Sequence, residues 1–158
     1  MMYDVKNVVW IDLHTGYGPR YQMSVINSKH ELENTELFSD NINYPLVIGL
    51  NSKDLYNVVG DMLESIYNIK NKTKQKCNLY ATCFEFGTLG DSTKKTVESL
   101  KAIVFDNSAS FIAQKSKTKT YIDLLMREQF LPSEDRWREK AEEDFLQAMR
   151  GIIKYKEI

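Results

Sequence analysis

The sequence has only two cysteines and two histidines among its 158 residues. Two cysteines are too few for a disulfide framework, and the spacing of Cys77 and Cys83 does not match a zinc knuckle. We therefore predict structural roles for both thiols, with Cys83 buried as a small apolar residue. Since histidine is scarce, the position of each one deserves explanation.

The sequence also lacks an excess of charge of either sign, and it lacks a long apolar run. The formal net charge is −1, with basic and acidic residues interspersed, which argues against nucleic acid or an anionic membrane as a partner. No apolar run approaches the ~20 residues of a membrane span, and no basic segment leads into a signal-type apolar core. We therefore expect a cytoplasmic, folded protein.

Apolar runs predict two or three strands, and helical periodicity between them predicts an α/β fold with a partial mixed sheet flanked by helices. Strands are expected within residues 8–14 and 77–90, and residues 44–50 form either a short strand or a buried connection. Residues 21–43 are polar and irregular, so we expect an exposed excursion there with at most one short helical turn. Residues 68–76 are basic and hydrophilic, and they read as a linker.

Four helical stretches are predicted from apolar residues that recur three or four positions apart. The first is capped by Ser52, and its apolar residues are Leu55, Val58, Val59, Met62, Leu63 and Ile66. The second is capped by Asp91 or Ser92, with Val97, Leu100, Ile103 and Val104 inward, and a further helical stretch through Phe111 and Ile112 follows it. The third carries Tyr121, Leu124 and Leu125, and the last has Trp137, Ala141, Phe145, Ala148 and Ile152 on one face.

His14 stands at the carboxyl end of the first strand, immediately before a glycine-rich turn. Open α/β sheets place their ligand crevices at this edge. Asp12 lies two residues earlier on the same face, where its carboxylate could orient a metal-bound imidazole or form the floor of a polar pocket. The alternative is that His14 caps the strand end and forms only local hydrogen bonds.

Glu85 occupies an equivalent position at the end of the later strand. On alternation it shares a face with Leu79, Ala81 and Cys83, and a glycine-bearing loop follows it. Desolvation there would disfavour the carboxylate and make Glu85 a competent general base or acid, although a salt bridge at the sheet edge is the alternative. Because His14 and Glu85 each end a core strand before a Thr-Gly or Gly-Thr turn, we predict one shared site.

Three segments of the chain resemble a known family. They are WIDLHTGYGP, ATCFEFGTLG and REQFLPSEDRWREKAEEDFLQAMRGI, and they resemble the C-terminal half of the domain-of-unknown-function 2817 proteins. That family is similar to zinc carboxypeptidases and to succinylglutamate desuccinylase and aspartoacylase. The resemblance implies the C-terminal half of the zinc carboxypeptidase fold.

The resemblance also implies site residues. His14 would be the third zinc ligand, and Glu85 would activate the zinc-bound water and pass its proton to the leaving group. Asp12, Thr15 and Gly16 would support the ligand or line the pocket.

The first two zinc ligands of these enzymes come from an upstream H-x-x-E motif. Only thirteen residues precede His14 here, so we expect that the N-terminal zinc-ligand half is absent. His30 and Glu33 formally satisfy H-x-x-E, but they follow His14 in a polar stretch without the flanking strand. As a weak alternative, they would complete a His, His, Glu set with His14.

These expectations lead to two hypotheses. In the first, residues 1–158 form a single partial domain of a truncated or split zinc carboxypeptidase-like metallohydrolase, which is inactive and binds zinc only weakly by itself. Its partner would be an N-terminal half of the same enzyme, or a second copy at an open sheet edge. In the second, the chain is a non-catalytic binding or assembly module that retains the pocket residues.

Overall fold

The fold is a mixed α/β arrangement, as the sequence predicts. The computed structural model describes residues 5–49, 61–74, 76–90, 92–112 and 117–157. These residues form a four-stranded mixed sheet, flanked by helices, with the strand order β1-β4-β2-β3. The elements are β1 (Asn7–Gly16), β2 (Met23–Asn27), α1 (Thr35–Ile42), β3 (Val47–Gly49), α2 (Met62–Lys72), β4 (Asn78–Gly87), α3 (Thr93–Ile112), α4 (Lys117–Phe130) and α5 (Asp135–Tyr155).

Strands β1 and β4 are neighbours and run in parallel. Near their amino ends, the amide of Asn78 donates to the carbonyl of Lys6 at 2.8 Å. Near their carboxyl ends, the amide of Thr88 donates to the carbonyl of Gly16 at 3.4 Å. Both strands therefore advance in the same direction, and residues that end them in sequence meet at one edge of the sheet.

The hydrophobic core explains why the two long strands form. Alternation puts Val8 and Trp10 of β1 on one face with Asp12 and His14, because successive side chains of a strand point to opposite faces. The apolar part of this face packs against a buried cluster that β2, α2 and β4 supply. The cluster consists of Ile26, Leu63, Ile66, Tyr67, Leu79, Ala81 and Cys83.

Contacts within the chain divide it into two compact units. The first contains Met1–His14, Ser24–Glu85 and Glu143–Ile158, and the second contains Thr15–Met23 and Phe86–Glu142. The single partial domain expected from the sequence stays a prediction.

The expectation of an exposed excursion over residues 21–43 is wrong, although a short helical element does lie within it. Residues 23–27 form β2, which is buried throughout because it lies between β4 and β3. Residues 35–42 form α1, whose first turn is capped by Asn34. The side chain of Asn34 accepts hydrogen bonds from the amides of Glu36 and Leu37, which is the preferred role of asparagine at this position.

Helix α2 is confirmed over its described part. It begins after Asp61, whose side chain caps it, and it continues to Lys72. The first half of the linker expected at 68–76 is therefore helical instead. The predicted start at Ser52, with Leu55, Val58 and Val59, lies outside the described residues.

The predicted inward face of α3 is wrong for all but Ile103, which is half-buried. The other three predicted inward residues of α3 are exposed, as are the apolar residues named for α4. The reason is the pairing of the two helices, in which buried Gln129 of α4 donates to the hydroxyl of Ser99 on α3 at 2.6 Å. A small polar residue thus occupies the covered side. The exposed residues are Val97, Leu100, Val104, Tyr121, Leu124 and Leu125.

The apolar face predicted for helix α5 is the face that the structure covers. Trp137, Ala148 and Ile152 are buried, and Ala141 and Phe145 are half-buried.

None of the described helices combines the length and the apolar composition that crossing a membrane requires.

Candidate metal centre

The candidate site lies at the carboxyl ends of β1 and β4, in the first unit. The strands are extended up to this edge because each carries β-branched or aromatic residues over a covered face. Their parallel pairing brings residues together that are 71 positions apart in the chain, from His14 to Glu85. The structure thus brings together the two residues for which the sequence predicts one shared site.

The imidazole of His14 lies between two carboxylates. Its Nε2 atom is 3.1 Å from Oδ2 of Asp12, and its Nδ1 atom is 3.7 Å from Oε2 of Glu85. The side chain of His14 is 54% exposed, whereas those of Asp12 and Glu85 are 23% and 12% exposed. The imidazole is therefore accessible from solvent, while the carboxylates beside it are largely enclosed.

The two nitrogens of His14 lie at different distances from their neighbouring carboxylates. The contact of Nε2 with Asp12 has hydrogen-bond length, whereas Nδ1 lies beyond hydrogen-bond distance of Glu85. If the imidazole is neutral and carries its proton on Nε2, Asp12 can accept a hydrogen bond from it, and Nδ1 is left as the ligand atom. A carboxylate in this position is the usual support of a metal-bound histidine.

Cys83 joins this group from the neighbouring position on the same face of β4. One potential ligand atom each from His14, Cys83 and Glu85 lies within 4.8 Å of the others. Burial, followed by the charges of Glu85 and Asp12, raises the pKa of the Cys83 thiol to about 12. Since the thiolate is the form that binds metals, the protonated Cys83 is a poor ligand at neutral pH.

Both cysteines are expected to react slowly in the folded protein. Cys77 and Cys83 are buried and not joined in a disulfide, as predicted for Cys83, and we expect alkylation by iodoacetamide at pH 8 to be at least about 100-fold slower than in urea. The raised pKa of Cys83 also means that its contribution to stability is complete below the ordinary value of 9.0 and is lost as the pH rises toward 12. Urea titrations from pH 8 upward measure this loss.

The Cys83→Ala variant is the control, because it should remove the loss of stability between pH 9 and pH 10, below the range in which the buried Tyr67 and Tyr80, whose pKa values burial also raises, begin to contribute. A native chain that alkylates both thiols as fast as the unfolded chain contradicts the prediction.

The donor set fits part of a zinc site. Among the residues that the structure describes, one group of three histidine, cysteine or acidic side chains lies close enough to share a metal ion, and it consists of His14, Cys83 and Glu85. They provide one imidazole and one carboxylate, which are ligand types that zinc accepts, but a catalytic zinc normally has three protein ligands and an open position. The described residues therefore supply only part of the coordination of a catalytic zinc site.

Thr15 and Gly16 belong to the second unit, and their pocket roles stay predictions. Gly16 has φ +136°, a conformation that favours glycine. Its carbonyl accepts hydrogen bonds from the amide and the hydroxyl of Thr88 at 3.4 and 3.3 Å. The described role of Gly16 is thus to join the turns that follow the two strands.

His30 and Glu33 have other partners. The ring of His30 lies 4.6 Å from that of Tyr67, and the carboxylate of Glu33 accepts hydrogen bonds from Tyr155 at 2.6 Å and Asn41 at 3.1 Å. In the described part of the chain, no group of three potential metal ligands contains either residue. The structure therefore does not bring this H-x-x-E pair to His14.

A cluster of side chains in the second unit, which the sequence patterns did not indicate, holds the loops after β1 and β4. The carboxylate of Glu134 accepts hydrogen bonds from Arg20 at 2.6 Å and from Tyr21 at 2.8 Å. Trp137 donates to the carbonyl of Gly87 at 2.8 Å. The available signal was the segment LPSEDRW, which reads as a loop and helix start, and which also provides these two anchoring side chains.

The fold and the site define an α/β protein with a histidine and two carboxylates at the carboxyl edge of parallel strands. Residues 1–144 match the model of the family described as "Protein of unknown function (DUF2817)", and the chain belongs to that family. No curated protein and no solved structure matches the chain.

Proposed function

We propose that this chain supplies part of the catalytic centre of a zinc carboxypeptidase-like hydrolase that cleaves peptide or acyl-amino-acid amides. The observation that supports the proposal is the placement of the His14 imidazole between Asp12 and Glu85. This arrangement combines an accessible nitrogen of His14 as a ligand, the carboxylate of Asp12 to orient the imidazole, and the carboxylate of Glu85 to transfer protons. The zinc carboxypeptidase resemblance of the motifs around these residues supports the same reaction class.

Each residue has a distinct task in this proposal. His14 would hold the metal through Nδ1, and Asp12 would keep the proton on Nε2 and thereby raise the basicity of the ligand. Bound zinc would lower the pKa of a coordinated water toward ~7 and polarise the substrate carbonyl. Oε2 of Glu85 would accept a proton from the attacking water and deliver it to the leaving amine.

The remaining ligands are proposed to come from a segment outside this sequence that carries an H-x-x-E motif, in the same or another polypeptide. The position of β1 supports this, because it is an edge strand of the described sheet and is ten residues long. An edge strand presents backbone donors and acceptors that can pair with a further strand. The added strand would complete the site beside His14.

A zinc titration followed by the imidazole nitrogen resonances tests the ligand assignment. We expect zinc to bind weakly and to shift the resonances of His14. The His14→Ala variant should lose this binding, whereas His30→Ala and Cys83→Ala should retain it. Addition of a polypeptide with the H-x-x-E segment should tighten zinc binding by on the order of 100-fold or more, because the ligands then act together. Amide hydrolysis should appear only in this mixture.

Zinc binding that survives in His14→Ala contradicts the proposal. If the added segment produces neither tighter binding nor hydrolysis, the non-catalytic binding or assembly module is the better hypothesis. The observation that favours this second function is the single imidazole in the described group. In such a module, Glu85→Gln would change ligand binding or stability without any turnover to lose.

A further inference from the structure

Helix α3 carries an apolar stripe that is exposed over most of its length. Val97, Leu100, Val104 and Phe111 recur at i, i+3, i+7 and i+14, which places them within an arc of about 60° on the helix. Their exposed fractions are 43%, 57%, 60% and 91%. This spacing is that of a seam between two packed helices.

The stripe faces away from the contact that α3 makes with α4. That contact uses Ser99, which accepts the hydrogen bond from Gln129, and Ser99 lies about 100° or more around the helix from the stripe. Within the described chain, the covered face of α3 includes Ser99 and the half-buried Ile103, whereas the stripe lies on an uncovered face. Water-exposed apolar surface of this kind on a helix marks an interaction site.

The size of the stripe suits a weak symmetric dimer. From the exposed fractions, the four side chains present on the order of 500 Å² of accessible surface, so two copies would bury about 1,000 Å², near the lower limit of a specific interface. Leu100 and Val104 flank the middle of the 20-residue helix. If two antiparallel copies of α3 are centred between Leu100 and Val104, the two helices lie side by side along their full length.

The charges of α3 favour the antiparallel arrangement. Lys94 and Lys95 lie in the first turn, which has no acidic residue, and the last turn has no basic residue. The macrodipole of a helix disfavours positive charge at its amino end and favours it at its carboxyl end. In an antiparallel pair, the lysines of each copy lie beside the carboxyl end of the other helix.

We propose that the stripe on α3 binds a second copy of this chain, with the two α3 helices antiparallel and the two-fold axis between Leu100 and Val104. Leu100 of each copy then packs against Val104 of the other. The interface is isologous and closes with two copies. It does not depend on the proposed hydrolase activity.

Sedimentation velocity from about 10 µM to about 0.5 mM tests this proposal, over the range expected for an interface of this size. We expect a concentration-dependent monomer–dimer equilibrium. Val104→Glu should weaken the dimer by about 100-fold or more, because it buries an unpaired charge. The matched control is Phe105→Glu, since Phe105 is 55% exposed on the same helix but lies off the stripe, and this variant should still dimerise.

A mixture of Val104→Glu and Val104→Lys chains should form a heterodimer, because the axis passes close to both substituted positions. Far-UV circular dichroism verifies that each variant is folded, and Leu100→Glu provides a second disruption if Val104→Glu is not. A wild-type chain that stays monomeric throughout overturns the proposal. So does a Phe105→Glu variant that is as monomeric as Val104→Glu, or a mixture that does not associate.

Discussion

Glu85→Gln is expected to remove hydrolysis from the completed enzyme while zinc binding persists. The amide has the shape of the carboxylate but cannot accept the proton of the attacking water, and general acid–base catalysis contributes about 10²- to 10⁴-fold. We therefore expect kcat to fall by about 1,000-fold. Turnover of peptides and acyl-amino acids with the H-x-x-E segment added measures this, and the zinc content of each variant is determined in parallel.

Two further variants separate proton transfer from metal binding. Asp12→Asn should lower zinc affinity by about 10- to 100-fold, because it weakens the support of the ligand, while kcat at saturating zinc falls much less than in Glu85→Gln. Glu36→Gln alters an exposed carboxylate in the first turn of α1 and should leave both quantities unchanged. A Glu85→Gln enzyme with kcat within tenfold of wild type would contradict the assigned role.

Gly151→Ala is expected to destabilise the fold by about 3 kcal/mol, the upper part of the range for overpacked sites. A Cβ at Gly151 would overlap the backbone carbonyl oxygen of Ile42 at the end of α1, so the backbones of α1 and α5 would have to separate. Helix propensity by itself predicts the opposite sign, a gain of up to about 1 kcal/mol for alanine in a helix interior. Urea unfolding followed by circular dichroism decides between the two.

Gly49→Ala is the matched control for this variant. Its added Cβ would meet only a methyl group of Thr35, at 3.4 Å, and we expect the free energy of unfolding to change by less than about 1 kcal/mol. If Gly151→Ala were as stable as wild type, the close approach of α5 to the carbonyl of Ile42 would be refuted.

The strand ends could be predicted because alternation is a local property of extended backbone. Asp12 and His14 share a face of β1 whatever lies beside that strand, and Cys83 and Glu85 share a face of β4 in the same way. Burial of Cys83 also follows locally, since the segment around it is apolar on both sets of alternating positions. The contact between His14 and Glu85 did not follow from alternation, because it depends on β1 and β4 being parallel neighbours.

The failures have a common cause in packing between distant segments. The polar character of residues 21–43 indicated an exposed loop, yet β2 is buried because two other strands enclose it, and Tyr80 and Thr82 of β4 bond to Asn27 and to the carbonyl of Ile26. On α3, periodicity correctly identified an apolar face but could not indicate whether this chain covers it. The pairing with α4 uses the opposite side.

By itself, the sequence determined the residue types at the ends of two strands, their faces and the apolar period of the helices, since these follow from backbone geometry over a few residues. Only the tertiary structure decided which strands are neighbours, which face of α3 is covered and why Gly151 has no side chain. Those features depend on contacts between segments distant in sequence, where steric fit and burial outweigh local preference.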